Sequence, residues 1–371
     1  MRQTTATTIV VCVWMIAVLV ACRKPATSVR DPAWEALGEW ERLSPTEKSA
    51  EQVDAYLAKN PGDIVRLVGV LTQFSTGKRP KDERLEQYTL LLIERLPSAS
   101  VIQHANTSRV IANPQYRDRL VARLEEQVAK GQTNHGVYDN LAFICELGTW
   151  VIEPKRREQF LRWHRLPADT ELPDKPDPLL LAKAIRYYGA AADAAKGDPF
   201  YEGFHLEALG RLFRINKRFA EAAKACERAL PVTGDTSRSS LLVTYGKCLK
   251  GADKPDEAEK QLRKVRKADG KSYEQGPGCA TMEAETLLGQ IALQRGDVKS
   301  ACQRLKASTD VNRCCHNTTA GFPLSLAEEL LKRGEADAVI AHCKRVLKDF
   351  TPKDTETEAL LKNAQEAKGK R

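Results

Sequence analysis

From Pro199 onward, apolar residues return at i, i+3, i+4 and i+7, the spacing of helices that each bury one face. Leu206, Leu209, Leu212 and Phe213 make one such face; after a break at Arg218, Phe219, Ala222, Ala223, Cys226, Ala229 and Leu230 make the next. Small residues keep a beat inside this pattern. Gly210 is followed twelve residues later by Ala222, Gly246 by Ala258 and Gly289 by Ala301, and Ala327 with Val339 forms a weaker fourth copy. A small residue in one helix and another a fixed step on, in the next, predicts helix pairs that pack closely and stack. The copies start 36, 43 and 38 residues apart, so the linking loops differ, the longest (Asp269–Gly278) being glycine-rich. Gly296 and Gly334 occupy equivalent turns between paired helices, where a residue at positive φ is needed.

Residues 34–166 are also expected to be helical, with a poorer beat. Ala50–Lys59, Ile64–Phe74, Lys81–Leu96, Val101–Ala112, Tyr116–Lys130 and Val137–Leu147 are the predicted elements, and Asn60-Pro61-Gly62-Asp63 closes the first of them. Pro167, Pro173, Pro176 and Pro178 mark residues 167–178 as a linker. Residues 179–350 carry the clear repeats, led by a helix over Leu179–Lys196. Residues 351–371 hold an amphipathic helix, Thr355–Lys368, with the polar outer face a terminal cap requires.

The repeats carry a Leu209-Gly210 pair, an aromatic at Phe213, Phe219 opening the second helix, and alanines at 222 and 229. Later copies read Tyr245-Gly246, Leu249, Ala258, Leu262 and Val265; Leu288-Gly289, Ala292, Ala301 and Leu305; and Leu326-Ala327, Leu330, Val339, Cys343 and Val346. This pattern resembles the tetratricopeptide repeat. It departs from that family in having Leu206 where an early tryptophan stands, and in lacking the closing proline. The resemblance implies an all-α, right-handed solenoid of helix hairpins, degenerate in the N-terminal half, that binds proteins or peptides. In such an array the first helix of each pair lines the concave groove. Counting from the packing residues, Glu207, Arg211, Arg214, Lys247, Lys250, Gln290 and Leu293 are expected to face it. Arg211, Arg214, Lys247 and Lys250 are the candidate partner-binding residues, suited to an acidic tail or a C-terminal carboxylate. The local alternative pairs Glu207 with Arg211 four residues on; Lys247 and Lys250 have only Val243 and Gly246 at that spacing.

At the start of the chain, Ile9–Ala21 is apolar throughout. Its length spans about 20 Å as a helix, short of the ~30 Å hydrocarbon core, so it predicts a signal peptide (residues 1–21) rather than a membrane span. It ends Leu19-Val20-Ala21-Cys22, which resembles the bacterial lipobox. That resemblance implies lipidation at Cys22, no signal residues in the mature chain and a short tether over residues 22–33. Multiple acyl chains anchor a protein firmly. Arg23 and Lys24, with no aspartate after the cysteine, imply an outer-membrane protein facing the periplasm.

Composition adds limits. The 371 residues are 42% hydrophobic and 29% charged, which excludes a disordered chain, and aromatics at 6% suit Leu/Ala helix packing better than a β-sandwich. The net charge of +9 falls by one with loss of Arg2, and opposite charges are interleaved along most helices, so it predicts a solvated surface. Export makes nucleic acid an unexpected partner. Lys155–Arg165 interleaves bases with Phe160 and Trp163 and is taken as a helix with one apolar and one solvated face.

No Gly-rich phosphate loop, His-Glu-x-x-His or Gly-x-Ser-x-Gly motif is present, and His164, His205 and His342 sit on helices without an obvious acid or nucleophile partner. A non-enzymatic scaffold without cofactor or metal is therefore expected. Cys226, Cys248, Cys302 and Cys343 fall on apolar helix faces. Cys279, Cys314 and Cys315 lie in or near loops, and Cys279 joined to Cys314 or Cys315 is the expected disulfide in an oxidising compartment. The alternative is a thiol- or metal-dependent enzyme on those loop cysteines with His316. Adjacent cysteines fit poorly around one tetrahedral zinc.

Overall fold

A computed structural model describes residues 32–43, 50–73, 82–103, 110–149, 177–268, 278–310, 324–349 and 354–370. Among these residues the regular structure is helical, and the architecture is the expected all-α solenoid of helix hairpins packed one after another. In chain order the N-terminal half holds α1 (Pro32–Arg42), α2 (Ala50–Lys59), α3 (Ile64–Gln73), α4 (Asp82–Arg95), α5 (Pro114–Ala129) and α6 (His135–Leu147). The repeat half holds α7 (Pro178–Ala194), α8 (Pro199–Ile215), α9 (Phe219–Ala229), α10 (Asp235–Gly251), α11 (Pro255–Ala268), α12 (Gly278–Gln294), α13 (Val298–Ser308), α14 (Ser325–Lys332), α15 (Ala336–Asp349) and α16 (Thr355–Gly369). Of the helix predicted over Val101–Ala112, residues 104–109 lie outside the described residues; a 3₁₀ turn occupies Ser100–Gln103, and residues 110–112 are helical.

Local sequence sets the helix ends. Asn113-Pro114, Asp177-Pro178 and Asp198-Pro199 each place a capping side chain before a proline at the first helical position. The Asp177 carboxylate accepts from the backbone N–H of Leu179 at 2.8 Å and of Leu180 at 3.2 Å. The hairpin turns share one geometry. Lys217 (φ 59°), Asp253 (φ 59°), Gly296 (φ 80°) and Gly334 (φ 88°) each adopt the left-handed conformation two residues before the next helix. In each turn the following N–H reaches back to a carbonyl five residues earlier: Arg218 to Phe213, Lys254 to Leu249, Asp297 to Ala292 and Glu335 to Leu330, at 2.9–3.0 Å. That is the Schellman closure, and it reverses the chain within three residues. Gly296 and Gly334 do what the sequence required of them; Lys217 and Asp253 hold the same conformation against a Cβ penalty.

The small residues of the beat are buried, but they do not all meet their twelve-residue partners. A methyl at Gly210 would lie 3.6 Å from the Ala222 carbonyl and 3.2 Å from Cys226 Sγ, so this pair packs directly. A methyl at Gly246 would lie 2.6 Å from Leu262 Cδ2, and one at Gly289 would lie 2.3 Å from Leu326 Cδ2 of the following hairpin. The glycines make room for leucines, while Ala258 and Ala301, both fully buried, serve elsewhere in the seam.

Three hydrophobic clusters follow one another along the stack. The first runs from Ala33 to Ala225, the second from Ala192 to Ile291 and the third from Leu293 to Ala364. The first cluster joins α6 and α7 to the helices before them, so the apolar core continues on both sides of the proline-rich stretch. Residues 150–176, which include most of that stretch and the basic-aromatic segment at 155–165, lie outside the described residues. At the C-terminus, α16 packs Leu360 and Ala364 onto α15 and turns charged residues outward, as a cap should. Among the described residues no helix is long and apolar enough to cross a membrane.

Candidate partner-binding face

The first helices of successive hairpins, α8, α10, α12 and α14, lie side by side, with α9, α11, α13 and α15 behind them. On α8 the helical repeat brings Phe200, Phe204, Glu207, Arg211, Arg214 and Ile215 onto one side. Phe204 and Ile215 are 50% and 55% exposed, and Phe200 is 52% exposed. These apolar side chains at the surface were not singled out by the sequence pattern. Their signal is a period-four apolar spacing (200, 204) outside the buried stripe.

The four candidate cations have partners on other helices, with one exception. Arg211 is 43% exposed and forms an ion pair with Glu146 of α6, which is 1% exposed. Its Nη2 donates to Glu146 Oε2 at 3.1 Å, and the Tyr188 hydroxyl donates to the same oxygen at 2.7 Å. Burial works against the Arg211 charge, but Glu146 more than offsets it and raises the pKa. Burial, reinforced by Glu146, also pushes the Tyr188 phenol well up, keeping it a donor. The expected local Glu207–Arg211 pair is therefore replaced by a pair 65 residues apart in sequence. Burial lifts the Glu207 carboxyl to about 7, while the Thr233 hydroxyl donates to the Ala229 carbonyl at 2.8 Å.

On α10, Lys247 Nζ lies 2.7 Å from Glu283 Oε2 of α12. Lys250 Nζ donates to Gln290 Oε1 at 2.9 Å, and burial lowers its pKa. The Gln290 amide nitrogen then donates to Glu329 at 2.9 Å and Ser325 at 3.1 Å on α14. A polar ladder thus runs across the first helices from α10 to α14. Lys247 remains 33% exposed on this ladder. Arg214 is the exception: its buried Nε has no hydrogen-bond partner among the described residues, and its charge lies near the thiols of Cys226 and Cys248.

A second polar cluster sits beside the aromatic end of α8. His205, 1% exposed, places Nε2 3.3 Å from His135 Nδ1 and Nδ1 3.2 Å from Asp139 Oδ1. Gln103 donates to Asp139 Oδ2 at 2.6 Å, and the His135 ring lies against that of Tyr201, tilted by 35° with centroids 4.2 Å apart. Burial, with His205 adding to it, holds His135 below the ordinary imidazole pKa. The partners of His205 come from α6, up to 70 residues away, which no local pattern shows. Nothing in this cluster presents a nucleophile, and among the described residues no group of three or more His, Cys, Asp or Glu side chains is placed to hold a metal.

Cys22, Cys314, Cys315 and His316 lie outside the described residues, and with them the lipidation site and the expected loop disulfide to Cys279. No protein family matches the sequence, and no curated protein matches it. Among solved structures, the chain is similar to the human IFIT1 dimer with PPP-AAAA, at 13% identity over 93% of this chain and 92% of that chain. The TM-score is 0.27, too loose an overlap to carry any conclusion about this chain.

Proposed function

We propose that this protein is a lipid-anchored scaffold of the bacterial cell envelope that docks a protein or peptide partner on the first-helix face of its repeats. The observation that carries the docking reading is the surface of α8, where Phe204 and Ile215 stand half exposed on the same side as Arg211. Apolar side chains flanked by charge-bearing hydrogen-bond donors suit an amphipathic segment with acidic residues. Lys247, one hairpin further along, extends the basic surface. The anchor reading is supported by the apolar run Ile9–Ala21 and by Leu19-Val20-Ala21-Cys22. Facing the periplasm from the outer membrane is the setting that Arg23 and Lys24 favour.

Two experiments separate the parts of this proposal. Cys22→Ser should abolish incorporation of labelled palmitate and release the protein from the membrane fraction; unchanged membrane retention and labelling would remove the anchor. In membranes, crosslinking and mass spectrometry should identify one dominant partner. Capture of it should fall at least tenfold in Phe204→Ser, and in Lys247→Glu combined with Lys250→Glu. Equal capture by both variants, with helical content intact, would remove the face as the docking site.

A further inference from the structure

His205 of α8 is 1% exposed and sits between two side chains of α6. Its Nδ1 lies 3.2 Å from Asp139 Oδ1, off the line of a hydrogen bond, and its Nε2 is hydrogen-bonded to His135 Nδ1 at 3.3 Å. Gln103 takes the other Asp139 oxygen, donating at 2.6 Å, and also donates to Asn140 Oδ1 at 3.1 Å. Asn140, fully buried, donates to the carbonyls of Pro97 at 2.9 Å and Ala99 at 3.1 Å, so the carboxylate is held from behind. Two further groups face the pair. The Asp198 charge at the start of α8 acts on His135, and Tyr188 of α7 faces Asp139, with the Glu146–Arg211 ion pair beyond it.

The ring hydrogens are assigned from this geometry. A carboxylate only accepts, and a bare lone pair facing it would be repelled, so His205 carries its hydrogen on Nδ1. Neutral His205 then has a bare Nε2, which accepts from His135 Nδ1–H. His135 keeps a bare Nε2, on a ring that is only partly buried. A first proton enters there and breaks nothing, because the imidazolium still donates through Nδ1. Within the pair, a second proton can enter only at His205 Nε2. It sets two N–H groups head to head across 3.3 Å, on two cationic rings whose centroids are 5.5 Å apart.

We propose that His135 and His205 form an acid-sensitive latch between α6 and α8, which holds with one proton and parts with two. Burial, with His205 adding to it, keeps His135 below the ordinary imidazole value near 6.5, so the unfolded chain takes that proton first. The first step therefore costs the seam a little stability as pH falls below about 6.5, and the second opens it. The Tyr201 ring lies 4.2 Å from that of His135, and the Phe204 ring meets His205 edge-on at 5.4 Å. Parting the latch thus removes the support beneath the aromatic end of α8. Loss of docking in acid rests on the reading of α8 as the docking face; the latch itself does not.

The test is hydrogen exchange on the full chain, read by mass spectrometry of fragments between about pH 7 and about pH 4 and corrected for the intrinsic pH dependence of exchange. Residues 135–140 and 199–206 should lose protection about tenfold more than α12 and α13 do, at the acid end of the range. His135→Phe keeps a ring against Tyr201 but cannot take a proton, and most of this local loss should vanish in it. A second readout needs no variant to fold. In ring-nitrogen NMR of the histidine-labelled wild type at neutral pH, at least two of the 6 histidines should carry their hydrogen on Nδ1. Absence of such histidines would overturn the latch. So would protection at 135–140 and 199–206 that falls no faster than in α12 and α13, or that falls equally in His135→Phe. Partner capture lost in acid while these residues stay protected would remove the latch and leave the docking face standing; an opened seam with capture unchanged would do the reverse.

Discussion

Gly69 of α3 and Gly210 of α8 both sit where helices cross, but what they face differs. A methyl at position 69 would lie 2.0 Å from Cδ2 of the buried Trp40 ring; a methyl at 210 would lie 3.2 Å from a single sulfur. The N-terminal half closes its core around a few large side chains (Trp40, Leu67, Leu71, Leu92, Ile93), seated once each. The repeat half spreads the same task over alanines, cysteines and leucines that recur in every hairpin. A recurring seam makes stability a sum of similar nearest-neighbour terms. A unique plug concentrates it, and that explains why the beat fades in the N-terminal half although the helices continue.

The sharpest way to break that contrast is Trp40→Ala. Trp40 is 1% exposed, and its removal should cost about 4 kcal/mol. In hydrogen exchange the protection of α1 and α3 should collapse while α12 to α15 stay protected. Equal loss in both halves would mean that the stack unfolds as one unit.

Acid should expose the opposite asymmetry. Burial in α15 lowers the His342 imidazole to about 4, below its unfolded value near 6.5. The unfolded chain therefore binds the extra proton first, and stability falls as pH drops from 6.5 to 4, by about 3 kcal/mol. Thermal midpoints measured across that range should lose most of this slope in His342→Leu. An unchanged slope would assign the acid sensitivity to the His135–His205 cluster instead.

A smaller effect tests the bridge between the halves. Arg211→Met removes the partner of a buried carboxylate, Glu146, and should cost about 2 kcal/mol, less than a fully buried pair because water screens the exposed part of the guanidinium. Combining it with Glu146→Gln should recover part of that loss in denaturant titrations. Additive losses would mean the two groups do not depend on each other.

The smallest effect should be a gain. Lys217 holds φ 59° where the equivalent turns of the third and fourth hairpins have glycine. Lys217→Gly should stabilise the protein by about 0.5–1 kcal/mol, the relief of the left-handed strain less the added chain entropy. A lower melting midpoint would show that the lysine side chain contributes more than its backbone costs.

The residues that were legible are those whose reasons are local. Leu209-Gly210, Gly296, Gly334 and the amphipathic α16 follow from helix periodicity and positive-φ turns, all decided within a few residues. The candidate face was only half legible. Arg211 and Lys247 were placed on the correct helices, but their partners Glu146 and Glu283 were not, because those pairings depend on how one hairpin registers against the next. His205 looked solitary for the same reason.

The sequence by itself determined that this chain forms helix pairs that stack, because the burial period and the turn chemistry repeat along it. Only the tertiary structure decided which charges staple the hairpins and which aromatic residues stay at the surface. Those outcomes are set by distances between residues tens of positions apart, and a one-dimensional pattern carries the period of a helix but not the register between helices.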